Sequence, residues 1–353
     1  MSLAALSGLV EQHVSAWIAL GNWETRRLRE RLPASIERPI FIAGLARSGT
    51  TTLLRKIAAL PGMASHRYSD FPFLFTPYYW NRLNGRPKAE KPRERMHKDG
   101  ILVTAESPEA MEEMLWMAFF PGLHDPSRSN VLGAEVAQAD FAAFYADHLR
   151  KILLIRGGSR YVSKNNYNLT RFAYLAKLFP DARFLLPIRA PEDHVASMIK
   201  QHRLFAEAER NAPQVSAQLR RVGHFEFGLG RKPINPGDTA AVRAVLDCWA
   251  AGDEARGWAK YWALIYRAAA DSVAADPVLA ERCHFVRFED LCDRPLETVT
   301  TVARHLALPD DDTTLAALGE GFRRPDYYKP SFTDAERAAI REETAEVGAR
   351  FGY

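Results

Sequence analysis

The chain has 353 residues, 47% of them apolar, enough for one large α/β domain or two ordinary ones around a packed core. Its 47 basic and 43 acidic residues leave a formal charge of +4, which excludes the strongly basic surface of a nucleic-acid binder and suits small anionic substrates. Three cysteines, Cys248, Cys283 and Cys292, lack metal-ligand spacing and read as packed thiols in a reduced, cytoplasmic setting.

At the N-terminus, Glu11 and His13 interrupt the apolar stretch and no basic leader precedes it. Residues 1–37 therefore read as a helical segment, with a helix over Leu6 to Leu32, and not as a signal peptide or membrane span. Ile40-Phe41-Ile42-Ala43 is a short continuous apolar run suited to a central parallel strand. It runs into Gly44-Leu45-Ala46-Arg47-Ser48-Gly49-Thr50-Thr51-Thr52, and helical spacing follows through Leu53, Leu54, Ile57, Ala58 and Leu60.

This loop has the glycine spacing of G-x-x-x-x-G-K-[ST] but carries Thr50 where nucleoside-triphosphate enzymes keep a lysine. Arg47 supplies a cation from inside the loop instead. Ser48, Thr50, Thr51 and Thr52 add hydroxyl donors beside Gly49 at a helix N-terminus, where orphan N–H groups and the dipole favour an anion.

Residues 70–100, dense in proline, aromatics and charge, read as irregular structure over a site. Glu109 to Phe120 reads as a helix with an apolar stripe, and Phe141 to Ile155 as another. Tyr161-Val162-Ser163 is a short strand ending at Lys164, and Leu169, Phe172, Leu175, Ala176 and Phe179 form one helical face. Arg183 to Ile188 is a second strong strand that stops at Arg189, with Pro191, Glu192 and Asp193 opening a helix. Residues 205–236 form a long excursion without strand signal, read as an insertion. Helices return over Thr239 to Ala275, His284 to Phe288 makes a third strand, and a helix over Leu296 to Leu306 precedes the aromatic, basic stretch Phe322 to Phe332.

Strands alternating with helices predict an α/β fold of the P-loop type: a mostly parallel sheet with helices on both faces and a largely helical insertion on the acceptor side. Ligands bind such sheets beyond the carboxyl ends of the strands. The loop at Gly44 to Thr52, Lys164, Arg189 and Phe288 all follow strands, so one sheet edge gathers three cations around one cradle.

These residues, in this order, resemble the superfamily of sulfotransferases that use 3′-phosphoadenosine-5′-phosphosulfate (PAPS) as donor. The likeness covers most of the chain outside residues 60–140 and 205–240. Gly44 to Thr51 resembles the family's 5′-phosphosulfate loop, with Arg47 where members carry Arg or Lys. Phe179-Pro180-Asp181-Ala182-Arg183-Phe184, leading to Arg189 and Ser197, resembles the element that grips the 3′-phosphate. Phe288-Glu289-Asp290-Leu291 resembles the family's Tyr-Glu-Asp-Leu element, with Phe288 in place of tyrosine, and Ala190 stands where aspartate is common.

The resemblance implies PAPS as co-substrate, no metal, and an acceptor hydroxyl on a glycan, a lipid or small molecule, or a tyrosine. It makes Lys164 the cation at the leaving oxygen, as in the tyrosylprotein-type branch. For the general base it points to Asp70 by that branch or to His97 by the small-molecule branch, with His66 and Glu106 as further candidates. Lys329 and Ser331 lie where members close a loop over the nucleotide. Two rival readings stay open: a nucleotide-binding protein without transfer activity, and a P-loop kinase.

Overall fold

The fold is that of a computed structural model, which describes residues 13–85, 90–324 and 331–353. In chain order it runs α1 (Val14–Leu28), β1 (Ile40–Ile42), α2 (Thr50–Ala58), β2 (Met63–Ala64), α3 (Pro77–Asn84), β3 (Arg93–Glu94), β4 (Leu102–Val103), α4 (Glu113–Phe119) and α5 (Ala139–Arg156). It continues with β5 (Arg160–Lys164), α6 (Phe172–Leu178), β6 (Arg183–Ile188), α7 (Pro191–Asn211), α8 (Gln214–Val222), α9 (Thr239–Ala250) and α10 (Glu254–Ala275). Last come α11 (Pro277–Arg282), β7 (Cys283–Arg287), α12 (Phe288–Asp293), α13 (Pro295–His305), α14 (Asp312–Gly319) and α15 (Asp334–Arg350).

Five strands form a parallel sheet in the order β2-β5-β1-β6-β7. Alternate residues of each strand face opposite layers. Ile40, Ile42, Val162 and Leu185 pack with Leu53, Leu54 and Ile57 of α2 and Val299 and Val302 of α13. Phe41, Tyr161, Phe184 and Leu186 join the larger core with α5, α7 and α10. A strand buried on both faces must be apolar at every position, which is why β1 reads as a continuous run. With β1 central, β5 to one side and β6 to the other, the chain reverses direction across the sheet at the loop after β1.

The structure redraws several boundaries. Helix α7 runs through Phe205 to Asn211 and buries Phe205 and Ala206, and α8 follows at once, so the excursion begins inside a helix. The span Thr239 to Ala275 is two helices, broken where Gly252 takes φ 80°. Phe288 opens α12 instead of ending a strand. Residues 70–100 are more ordered than their composition suggests: Pro77 occupies the first turn of α3, and β3 pairs with β4 as an antiparallel hairpin.

No helix among the described residues is long and apolar enough to cross a membrane. Cys248, Cys283 and Cys292 are free, and burial pushes the Cys283 thiol up to about 12.

Candidate active site

The loop after β1 is shaped by backbone that side chains oppose. Gly49 caps α2 at φ 98°, and a Cβ there would stand 2.7 Å from the Phe288 ring. A Cβ on Gly44 would stand 2.8 Å from the Pro187 carbonyl and from Ser48 Oγ. Gly49 is therefore required by φ and close approach, and Gly44 by close approach alone. Arg47 adopts φ 79° although it carries a Cβ, a conformation costing about 1 kcal/mol that fixes where its guanidinium goes. His194 Nε2 donates to the Ala46 carbonyl at 2.9 Å, and burial holds that imidazole down to about 3, so it is a neutral pin on the loop.

Arg47 reaches partners on different elements. Its Nε donates to Ser197 Oγ on α7 at 3.3 Å, and its Nη1 to Asp99 Oδ2 at 2.7 Å. Arg189, at the end of β6, is 5% exposed, and its Nε has no partner among the described residues. Its guanidinium lies 5.6 Å from the centre of the Phe288 ring. Phe288 thus supports both Gly49 and Arg189 through its ring face, a role that needs no hydroxyl. The next residue, Glu289, accepts from the Ala190 N–H at 3.0 Å, at the head of α7, and from the Tyr353 hydroxyl at 2.7 Å. The chain's last residue thereby braces the turn that carries Arg189.

A cleft of ≈ 870 Å³ opens over the loop. Its walls include Arg47, Gly49, Thr50, Thr51 and Thr52, Arg55 and Lys56 of α2, Arg95, Lys98 and Asp99 of the β3–β4 turn, Arg189, Phe288, Phe322 and Arg323. Cations prevail on this wall, in keeping with an anionic ligand carrying more than one charge. Asp99 is gripped by Arg95 through Nε at 3.0 Å and Nη2 at 2.5 Å, and Arg95 Nη1 donates to Thr51 Oγ1 at 3.3 Å. These two guanidiniums hold the Asp99 carboxyl well below the usual carboxylate range despite its burial.

Lys164, Ser197 and His97 are not part of the cleft wall. Burial lowers the Lys164 ammonium; Arg47 and Arg95 push it further down, while Glu109 and Glu226 favour its charge. His97 is held well below its usual range by burial, then by Arg95, His224 and Arg47, and its Nδ1 has no partner among the described residues. Its ring lies 5.1 Å from Phe205 and 5.8 Å from His224, centre to centre. Nearby, Asn166 donates to Glu226 at 2.7 Å and Tyr68 donates to Glu109 at 2.5 Å. Lys164 and His97 thus share the electrostatic surroundings of Arg47 and Arg95.

Asp70 stands elsewhere. It is fully buried in the turn Tyr68–Asp70 and is held by the Arg67 N–H, Asn81, Arg156 and His66. His66 and those partners keep its carboxyl far below the usual range against the cost of burial, which leaves a weak base that is not part of the cleft wall. His66 is buried between Asp70 and His148, and Glu106 is an exposed partner of Arg67. Ser331 is exposed and outside the cleft wall, and Lys329 lies outside the described residues. Among the described residues no cluster of three His, Cys, Asp or Glu side chains is arranged to hold a metal ion.

Arg95, Asp99, Tyr353 and the His224–Glu226 pair escaped the sequence reading. Arg95 and Asp99 flank a turn whose one visible signal is Gly100, and the other two meet the site only through the fold.

The Sulfotransferase family profile matches residues 39–225, just over half of the chain, and the chain belongs to that family. Among solved structures, it resembles the sulfotransferase STF9 from Mycobacterium avium at TM-score 0.50 and 16% identity, covering 90% of this chain and 78% of that one. It is also similar to the sulfotransferase STF1 from Mycobacterium tuberculosis, at TM-score 0.47 and 17% identity over 97% of this chain and 86% of that one. At 16% identity the likeness to STF9 speaks for the fold alone. Among curated proteins none matches by sequence.

Proposed function

We propose that the protein transfers the sulfuryl group of PAPS to an acceptor hydroxyl, with the nucleotide in the cleft over the β1 loop. The observation that carries this is Arg189: a buried guanidinium at a strand end, aimed at a cleft of nucleotide size, with Nε unpartnered. Such a group costs several kcal/mol unless an anion completes it. A 3′-phosphate does so, and Ser197 adds a hydroxyl two turns into α7. Gly49 and Thr50 to Thr52 present N–H and hydroxyl donors at the head of α2 for the 5′ end, with Arg47 beside them. Thr50 stands where kinases of this loop type keep the lysine that reaches the β- and γ-phosphates, which weighs against a kinase.

PAPS supplies a sulfuryl group on a phosphate leaving group. Charge grows on the bridging oxygen as that bond breaks, and Lys164 and Arg47 stabilise it. His97 takes the acceptor proton: burial holds its imidazole well below the usual range, which favours the neutral form, and its buried Nδ1 has no partner among the described residues. Asp70, saturated by four partners, serves instead to fix the turn Tyr68–Asp70 to α5 through Arg156.

The acceptor is a small molecule or glycan reached from the side of Phe205 and His224. The test is release of 3′,5′-adenosine bisphosphate from PAPS over a panel of phenols, sugars and alcohols. Acceptor-dependent release that falls a hundredfold or more in His97→Ala, with donor affinity unchanged, supports the reading (on the order of 10²–10⁴ for a lost general base). Full activity in that variant removes His97 from the mechanism. No release with any acceptor, despite tight donor binding, favours a nucleotide-binding protein without transfer.

A further inference from the structure

Asp99 places a carboxylate in the phosphate loop. The aspartate accepts from Arg47 Nη1 at 2.7 Å and is held by two bonds from Arg95, which itself bonds Thr51 in the first turn of α2. The side chain is 4% exposed, yet it is a wall of the open cleft. Two guanidiniums and a helix N-terminus are the donor set that grips a phosphate or sulfate oxygen.

The element that brings Asp99 there is slight. The β3–β4 hairpin pairs only Arg93 with Val103 and Glu94 with Leu102, and the turn is held by the Arg95 N–H on the Ile101 carbonyl and the Gly100 N–H on Glu94. Lys98, next to Asp99, sits at φ 45°, a left-handed conformation costing about 1 kcal/mol. The buried pair of Glu113 with Arg171 joins the starts of α4 and α6. The Asp99 pair instead lies on the wall of the open cleft.

We propose that Asp99 is an intramolecular competitor for the donor's 5′ anionic group. In the donor-free protein it neutralises Arg47 and Arg95. Donor binding displaces the carboxylate and leaves Arg95, anchored to Thr51, as a second cation at the phosphate loop. The inference rests on the donor site proposed above and adds regulation of that site.

Calorimetric titration with 3′,5′-adenosine bisphosphate on wild type, Asp99→Asn and Asp140→Asn tests it. Asp140 is an exposed acid outside the cleft wall and controls for loss of net negative charge. Asp99→Asn binds about tenfold tighter or more, because the competing state is removed, and Asp140→Asn stays within about twofold. Affinity in Asp99→Asn that is equal or weaker overturns the proposal, and so does equal tightening by Asp140→Asn. Asp99→Ser serves as the second variant if asparagine disturbs folding. Absence of binding in wild type and every variant strikes the donor reading itself, whereas retained binding without tightening strikes the competitor alone.

Discussion

In the proposed mechanism, Arg189 holds the donor and Lys164 drives transfer. Arg189→Ala removes charge-assisted bonds to the 3′-phosphate, about 2–3 kcal/mol, and weakens bisphosphate binding roughly 30- to 100-fold by calorimetry. Lys164→Ala acts on the breaking bond: kcat falls by about 10²–10³ while bisphosphate affinity holds within about threefold. A Lys164 variant that loses affinity and keeps kcat contradicts that role. At this scale the sequence was informative wherever a side chain follows a strand directly, because a parallel sheet aligns all such positions on one edge. Arg189 was read that way and Arg47 from the loop pattern, and both line the cleft; Lys164 is the last residue of β5 and is not part of its wall. Asp70 was proposed from spacing alone, and spacing cannot reveal that His66, Asn81 and Arg156 converge on it.

Among the elements, α7 and α15 set how rigidly the anion site is held. Helix α7 begins at Pro191, beside the Ala190 N–H that Glu289 accepts, and Tyr353 holds Glu289. Tyr353→Phe frees one carboxylate oxygen and weakens bisphosphate binding severalfold, at the scale of one hydrogen bond to a charged group. Unchanged affinity means the brace does not reach Arg189. Helix α15 starts with a reciprocal cap between Thr333 and Glu336 and docks on α10 through Arg256, Lys260 and Arg267. Thr333→Ala costs about 1 kcal/mol, read as a lower urea midpoint.

Strand β6 was read from sequence with its observed bounds, since six apolar or flanking residues between a Pro-Asp turn and Arg189 have no other use. Helix α15 was not read, although Thr333 and Glu336 spell its cap. Its buried positions Ala339, Ile340, Thr344, Val347 and Gly348 are mostly small or polar, so the apolar period is faint. The β3–β4 hairpin was missed for the opposite reason: proline, charge and aromatics nearby look like loop, and the two paired residues per strand leave no alternation.

For the whole molecule, buried histidines and paired carboxylates such as His194, His148, Asp70 and Glu113 make stability fall on the acid side. His194, held to about 3, and His148, also held well below its usual value by burial, stay neutral in the fold while the unfolded chain binds protons below about pH 6.5. Stability therefore declines as pH drops below that value, by up to a few kcal/mol for His194. Asp70 and Glu113, depressed by their His and Arg partners against burial, stabilise above the unfolded carboxylate range, near pH 4, and lose that contribution as pH falls through their folded values. All four act in the same direction. Urea midpoints between about pH 8 and pH 5 follow that decline, and His194→Gln, which keeps a donor for Ala46, flattens it. A midpoint that rises on acidification contradicts the assignment.

The account stands on the cleft above β1 being a bisphosphate site independent of metal. Calorimetric titration with 3′,5′-adenosine bisphosphate, beside ADP with and without magnesium, measures this directly. The account predicts that the bisphosphate binds far more tightly than ADP, that magnesium does not change it, and that Arg189→Ala abolishes the preference. Preference for ADP with magnesium, or a bisphosphate affinity untouched by Arg189→Ala, contradicts it.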